Sequence, residues 1–247
     1  MRRSRAPFLS SIMLKRDRVP SFEDYPFSIP AIRNLQALSL PGPVTFLVGE
    51  NGTGKSTLLE AVAIASGFNA EGGSRNFRFS TRDSHSNLHE YLRLVRPPGR
   101  RRDGYFLRAE SFFNVATAAE DKYDALQAYG GRSLHEQSHG ESFMALVLNR
   151  LKGRGLYLFD EPEAALSPTR QMALLAAMHG LVGQGSQFLV STHSPILLGY
   201  PGATIYLLTD DAITQVPYTE TEHYVVTRSF LNNPEGMLRE LLASDPS

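Results

Sequence analysis

The chain has 247 residues, 42% of them hydrophobic, and its 25 basic and 25 acidic side chains cancel to a formal net charge of zero. That length and apolar share suffice for one large domain or two small ones with a real core, and the balanced charge implies no strongly charged partner for the chain as a whole. With no cysteine, the chain can hold no disulfide framework, thiolate metal site or cysteine nucleophile, a composition that fits a reducing compartment.

Met1 to Lys15 joins a basic start to a short apolar stretch, but Ser10 and Ser11 interrupt it, Lys15-Arg16-Asp17-Arg18 follows it, and no small-residue cleavage pattern is present. The segment reads as an edge strand. No apolar run approaches the roughly eighteen residues needed to cross a bilayer, so the expectation is a cytoplasmic protein without membrane insertion. Residues 8–14, 27–32 and 35–40 are short apolar segments punctuated by Pro20, Pro26, Pro30, Pro41 and Pro43, and they predict an antiparallel β part over 8–48.

Gly49-Glu50-Asn51-Gly52-Thr53-Gly54-Lys55-Ser56-Thr57 follows the apolar run 44–48 and precedes residues 58–65, whose apolar side chains recur at helical spacing. A glycine-rich turn between a buried strand and a helix is the setting a phosphate-binding loop requires. The glycines let successive N–H groups point inward at a polyphosphate, and the helix start adds its positive dipole end. Lys55 supplies a mobile ammonium for the β- and γ-phosphates, and the Ser56 hydroxyl is placed to coordinate Mg²⁺. Upstream, Phe22, Tyr25 or Phe27 could stack on adenine, although each taken singly reads better as core packing.

Gly67 suits the end of the first helix, and residues 75–83 alternate polar and aromatic side chains as an exposed strand does. Residues 92–104 carry five arginines with Pro97, Pro98, Gly99 and Gly104. They read as a solvated surface loop in preference to a nucleic-acid patch, since no aromatics interleave with Arg100, Arg101 and Arg102. Residues 105–108 predict another strand and 115–129 a helical stretch that Gly130-Gly131 ends.

Gln137-Ser138-His139-Gly140-Glu141-Ser142 opens an apolar helix, where the Ser138 hydroxyl and the Gly140 amide could donate to a second anion; an ordinary capping box looks similar. Residues 155–163 form an apolar strand ending in carboxylates, which delivers charge to the crevice where open α/β sheets bind ligands. Asp160 suits Mg²⁺ held through water, and Glu161 suits a general base for the attacking water. Ser167-Pro168 starts a helix running towards Gly183. Residues 187–191 predict a strand with His193 just past its end, where it could face the γ-phosphate. The C-terminal part reads as a hairpin around Asp210-Asp211 and a final helix from about Thr227 to Leu242, interrupted at Asn232-Asn233-Pro234; it carries no catalytic constellation.

The glycine loop, the Ser138-His139-Gly140-Glu141 helix start, the acid strand with Asp160-Glu161-Pro162-Glu163-Ala164-Ala165-Leu166-Ser167-Pro168 and the run Ser191-Thr192-His193-Ser194-Pro195 occur in the order of the ABC-type ATPase superfamily. Over roughly residues 28–210 the chain resembles the soluble branch of that superfamily, with the structural-maintenance-of-chromosomes and RecF-like proteins. It is most similar to small stand-alone AAA-family ATPases. The resemblance implies an α/β P-loop NTPase fold, with a mostly parallel core sheet flanked by helices, an N-terminal antiparallel β subdomain and a short helical insertion. It implies one domain over 1–247, with the nucleotide-binding core at 44–67 and 150–210, the helical and signature segment at 111–149, and the hairpin and helix at 203–247.

ATP and Mg²⁺ would be the cofactors. The glycine loop of one chain would face Ser138, Gly140 and Glu141 of a second copy, so that ATP binding closes a homodimer and hydrolysis through Glu161, aided by His193, reopens it. The chain would then be a nucleotide-driven switch for a protein or nucleic-acid partner, in DNA maintenance or defence. Two departures stand out. His139 and Glu141 replace the signature's usual glycine and glutamine, and no glutamine stands at the strand-end switch after residue 105, where Glu110 is the polar candidate to join Ser56 and Asp160 at the metal. Alternatives are the ATPase subunit of an ABC transporter, against which the short 111–137 segment speaks, and a non-hydrolysing ATP-gated scaffold, which the intact Glu161 disfavours.

Overall fold

The structure is a computed structural model that describes residues 8–74, 86–98, 103–110 and 138–243. Its larger sheet has six strands in the order β5 (Asp103–Arg108), β6 (Gly155–Asp160), β7 (Gln187–Ser191), β3 (Val44–Val48), β8 (Thr204–Leu208) and β9 (Ile213–Gln215). The first five run parallel, and β9 closes the edge antiparallel to β8 through the Asp210-Asp211 turn. Strands β3, β6 and β7 are buried at every residue, the continuous apolar pattern of a parallel strand covered on both faces.

Successive side chains of these strands point to opposite faces and build two cores. Phe46, Tyr157, Phe159, Phe188 and Val190 face α3 (His139–Arg150) and α4 (Pro168–Gly183), meeting Phe143, Leu146, Leu174 and Met178. Leu47, Phe106, Leu158 and Leu189 face α2 (Lys55–Ala65), with Leu58, Leu59 and Val62. Beyond α2 lies a three-stranded antiparallel sheet in the order β2 (Ala37–Ser39), β1 (Ser11–Leu14) and β4 (Leu92–Val95). The Gln187 side chain joins the two sheets, accepting from the Leu9 N–H at 2.8 Å and donating to the Leu9 carbonyl at 2.8 Å.

The antiparallel part therefore forms, but two of its expected boundaries move. Residues 27–32 are no strand: Pro30 sets the first helical φ of the short helix α1 (Pro30–Arg33), which buries Ala31 and Ile32. The start of the arginine-rich stretch is no loop, because Leu92 and Leu94 alternate with Arg93 and pair with β1 as Leu14↔Leu92 and Ile12↔Leu94. Counting charges concealed that alternation. The final helix also begins earlier than expected. Thr221 caps α6 (Glu222–Asn232), Asn233 caps α7 (Pro234–Leu241), and the short helix α5 (Pro195–Leu198) lies between β7 and β8. The expected strand at 75–83, the helical stretch at 115–129 and Arg100, Arg101 and Arg102 lie outside the described residues. Among the described residues, no helix is long and apolar enough to cross a membrane.

Candidate functional site

Parallel register brings the chemistry to one edge. Leu47 and Asp160 both register with Ser191, and Val48 registers with Leu207, so β3, β6 and β7 end level and deliver Gly49, Glu161 and His193 to the same side. The turn after β3 needs glycine at Gly49. Its φ is 145°, and a Cβ there would lie 2.3 Å from the Leu208 carbonyl oxygen. Lys55 folds back over the loop and donates to the carbonyls of Gly49 at 2.8 Å and Glu50 at 2.7 Å. Burial lowers the pKa of its ammonium, while Glu161, Asp160 and Glu163 oppose that shift. Gly54, in the left-handed conformation, begins α2 without a side-chain cap, so the N–H groups of the first turn are open to an anion.

Ser56, in that first turn, donates to the Asp160 carboxylate at 2.9 Å. Asp160 is 6% exposed, and burial pushes its pKa up to about 6 despite the Ser56 hydrogen bond and the Arg108 charge. Arg108, at the end of β5, pairs with Glu60 at 2.6 Å and stands 3.8 Å from Asp160. Glu110 is 89% exposed and pairs with Arg108 at 3.6 Å. Among the described residues, no group of three or more His, Asp or Glu side chains could hold a metal unaided.

Glu161 is held in a left-handed conformation, φ 48° and ψ 52°, which a residue with a Cβ adopts at a cost of about 1–3 kcal/mol. Its N–H donates to the Ser191 carbonyl at 2.9 Å, and its carboxylate is 3.7 Å from His193 Nε2. The His193 N–H donates to Glu163 at 2.5 Å, so the half-buried third acid of the strand end orients the histidine loop. Burial and then the Lys55 charge lower the His193 pKa, while Glu161 acts the other way. A cleft of about 700 Å³ opens here, lined by Gly49, Glu50, Asn51, Glu161 and His193 and, from α6, by His223 and Val226.

Ser138, Gly140 and Glu141 are not among the residues lining that cleft. They form the start of α3, where Ser138 and Glu141 make a capping box: the Ser138 N–H donates to the carboxylate at 3.0 Å and its hydroxyl at 2.7 Å. Arg170, from the first turn of α4, donates to the Ser138 hydroxyl at 3.3 Å and pairs with Glu141 at 3.3 Å. Gly140 is packed so closely that a Cβ would meet the Ala165 carbonyl at 2.9 Å. Of the upstream aromatics, Phe27 is core, the Arg16 guanidinium lies over the Phe22 ring, and Tyr25 is exposed.

Sequence reading passed over Arg108, Arg170 and His223. A charged residue ending an apolar strand could have flagged Arg108. Arg170 and His223 carry no local signal, because each meets its partners only through the fold.

Two family models match the chain. One, described as an AAA domain, covers residues 26–118; the other, described as "AAA domain, putative AbiEii toxin, Type IV TA system", covers residues 142–199. Among curated proteins, none matches. Solved structures similar to the chain include cbiO1 from Clostridium perfringens, part of the ABC transporter complex cbiONQ, at 18% identity over 84% of this chain and 92% of that one, with a TM-score of 0.45. The SMC head domain from Thermotoga maritima aligns at 15% identity over 73% and 92%, with a TM-score of 0.41. A nucleotide-free ATP-binding cassette from an ABC transporter aligns at 18% identity over 85% and 91%, with a TM-score of 0.42.

Proposed function

We propose that the chain, which AAA-domain family models match over residues 26–118 and 142–199, is an ABC-type P-loop ATPase of the soluble, SMC-like branch that binds and hydrolyses ATP as a single domain and forms a nucleotide-dependent homodimer that switches a partner. The observation that carries this reading is the convergence of Lys55, the Ser56–Asp160 hydrogen bond, Glu161 and His193 on one edge of the sheet. Lys55 and the N–H groups of Gly49 to Thr57 hold the phosphates. Ser56 and Asp160 suit a Mg²⁺ ion, since a hydroxyl and a buried carboxylate already meet there and a cation would relieve the burial that raises the Asp160 pKa. When bound, the ion neutralises charge on the phosphates. Glu110 enters this reading only as a partner of Arg108.

Glu161 takes the proton of the attacking water, a role supported by its strained backbone and its place on the cleft. His193 donates from Nε2 to the terminal phosphate. Ser138 and Gly140 do not line the cleft of their own chain, which fits a role in completing the cleft of a second copy.

The test measures Mg²⁺-ATP turnover by the natural chain and by Glu161→Gln, with light scattering on the latter. The expected result is turnover that falls by about 10²–10⁴-fold in the variant, with ATP binding retained and a shift from monomer to dimer on adding ATP. Equal turnover in both proteins overturns the role of Glu161. A monomer with ATP tightly bound leaves Ser138 as a helix cap and overturns the homodimer.

A further inference from the structure

His193 Nδ1 lies 2.9 Å from Nε2 of His223, the second residue of α6, with the rings 5.0 Å apart and inclined at 56°. Its other nitrogen, Nε2, is buried without a hydrogen-bond partner, 3.7 Å from the Glu161 carboxylate, in a ring that lines the cleft. A neutral imidazole carries one N–H, so one ring must donate and the other accept across the 2.9 Å contact.

If His193 donated from Nδ1, its Nε2 lone pair would face the Glu161 carboxylate and, on the reading above, phosphate oxygens, which are all acceptors. If His223 donates instead, His193 carries its proton on Nε2 and turns a donor towards them. The second arrangement is electrostatically favoured.

We propose that His223 is a positioning residue for His193: its Nε2–H donates to His193 Nδ1 and holds the proton of His193 on Nε2, towards Glu161 and the terminal phosphate. This rests on the reading of His193 as the phosphate-facing histidine. Burial lowers the pKa of each ring, which favours the neutral forms; the Lys55 charge adds to it on both and His193 adds to it on His223, while Glu161 acts the other way on His193, and Glu222 and Glu163 do so on His223.

The support for His223 comes from its own turn of chain. Thr221 caps α6, Tyr218 packs against Tyr224 with ring centroids 4.6 Å apart, and the Tyr218 hydroxyl donates to the Pro195 carbonyl at 2.9 Å. Since α6 has no fully buried residue, the contacts at its first turn fix where His223 stands.

Two readouts test the pairing. In ¹⁵N-histidine-labelled, nucleotide-free protein, with His193 assigned through His193→Ala, the His193 signals should show the Nε2–H tautomer in the natural chain and in His223→Gln, whose amide still donates. They should show a mixture in His223→Ala. In steady-state turnover, His223→Ala should lower kcat by about tenfold with KM for ATP held within about twofold, the size of one lost hydrogen bond in the transition state. His223→Gln should recover most of that loss, and adding His223→Ala to His193→Ala should cost nothing further.

An unchanged tautomer in His223→Ala overturns the proposal whatever turnover does. So does a drop in kcat, KM and melting temperature together that His223→Gln fails to rescue, which would mark a structural contact. Full turnover by His193→Ala sinks the parent reading of His193 instead, and the tautomer still decides the pairing.

Discussion

Two helix starts, that of α2 after the glycine loop and that of α3 at Ser138, each meet a carboxylate, and they use it in opposite ways. At α3 the carboxylate is local: Glu141 lies three residues along, is half exposed, and satisfies the Ser138 N–H and hydroxyl. This contributes stability of the ordinary capping kind. At α2 the carboxylate comes from another strand, 104 residues away in sequence, and is buried at a cost visible in a pKa of about 6. One acid stabilises its helix; the other is held ionised near neutral pH against its surroundings. A carboxylate kept on such terms is suited to a cation that arrives with the ligand, whereas the α3 start already holds its anion and must loosen it to accept another.

Substitutions can break that contrast. Asp160→Asn has the largest expected effect. The folded pKa of about 6 lies above the unfolded value of 3.8, so the stability this group contributes is complete below pH 3.8 and is lost as pH rises through 6. Removing its charge should raise the unfolding free energy at pH 8 by up to about 3 kcal/mol, with the gain vanishing near pH 4 in urea unfolding of nucleotide-free protein. No gain at pH 8 would mean that Ser56 and Arg108 already compensate the charge. Glu141→Ala should act with the opposite sign, lowering stability by about 1 kcal/mol in the same assay, and a neutral result would remove the capping half of the comparison. Arg170→Ala comes last. Its pairs with Ser138 and Glu141 are solvent-exposed, so a loss under about 1 kcal/mol that shrinks further in high salt is expected, and a larger loss would show that Arg170 anchors α4 on α3.

Much of this edge is legible in the chain, because parallel strands announce themselves as apolar runs and deliver whatever follows them to one place. Residues 44–57, 155–163 and 187–193 suffice to place Lys55, Ser56, Asp160, Glu161 and His193 together, and the structure puts them there. The antiparallel sheet is harder. Residues 27–32 carry strand-like composition, yet Pro30 pre-sets a helical turn, and β4 hides its alternation among arginines. His223 is harder still, since it belongs to a helix with no buried residue and its meeting with His193 depends on how residues 213–221 return across the sheet. Gly140 shows the same dependence, because its tight approach to Ala165 is set by the loop before α4.

The placement of β3 between β7 and β8 also bears on when the site can come into being. Residues 44–48 are made long before their hydrogen-bonding neighbours, residues 188–191 and 204–207, and Leu9 waits for the side chain of Gln187. For about ten to thirty seconds of synthesis the strand that carries the phosphate loop has two open edges and no sheet to join. The edge that gathers Lys55, Asp160 and His193 is therefore completed only once residues 188–207 have been made, in a protein whose long-range pairings place it among the slower folders.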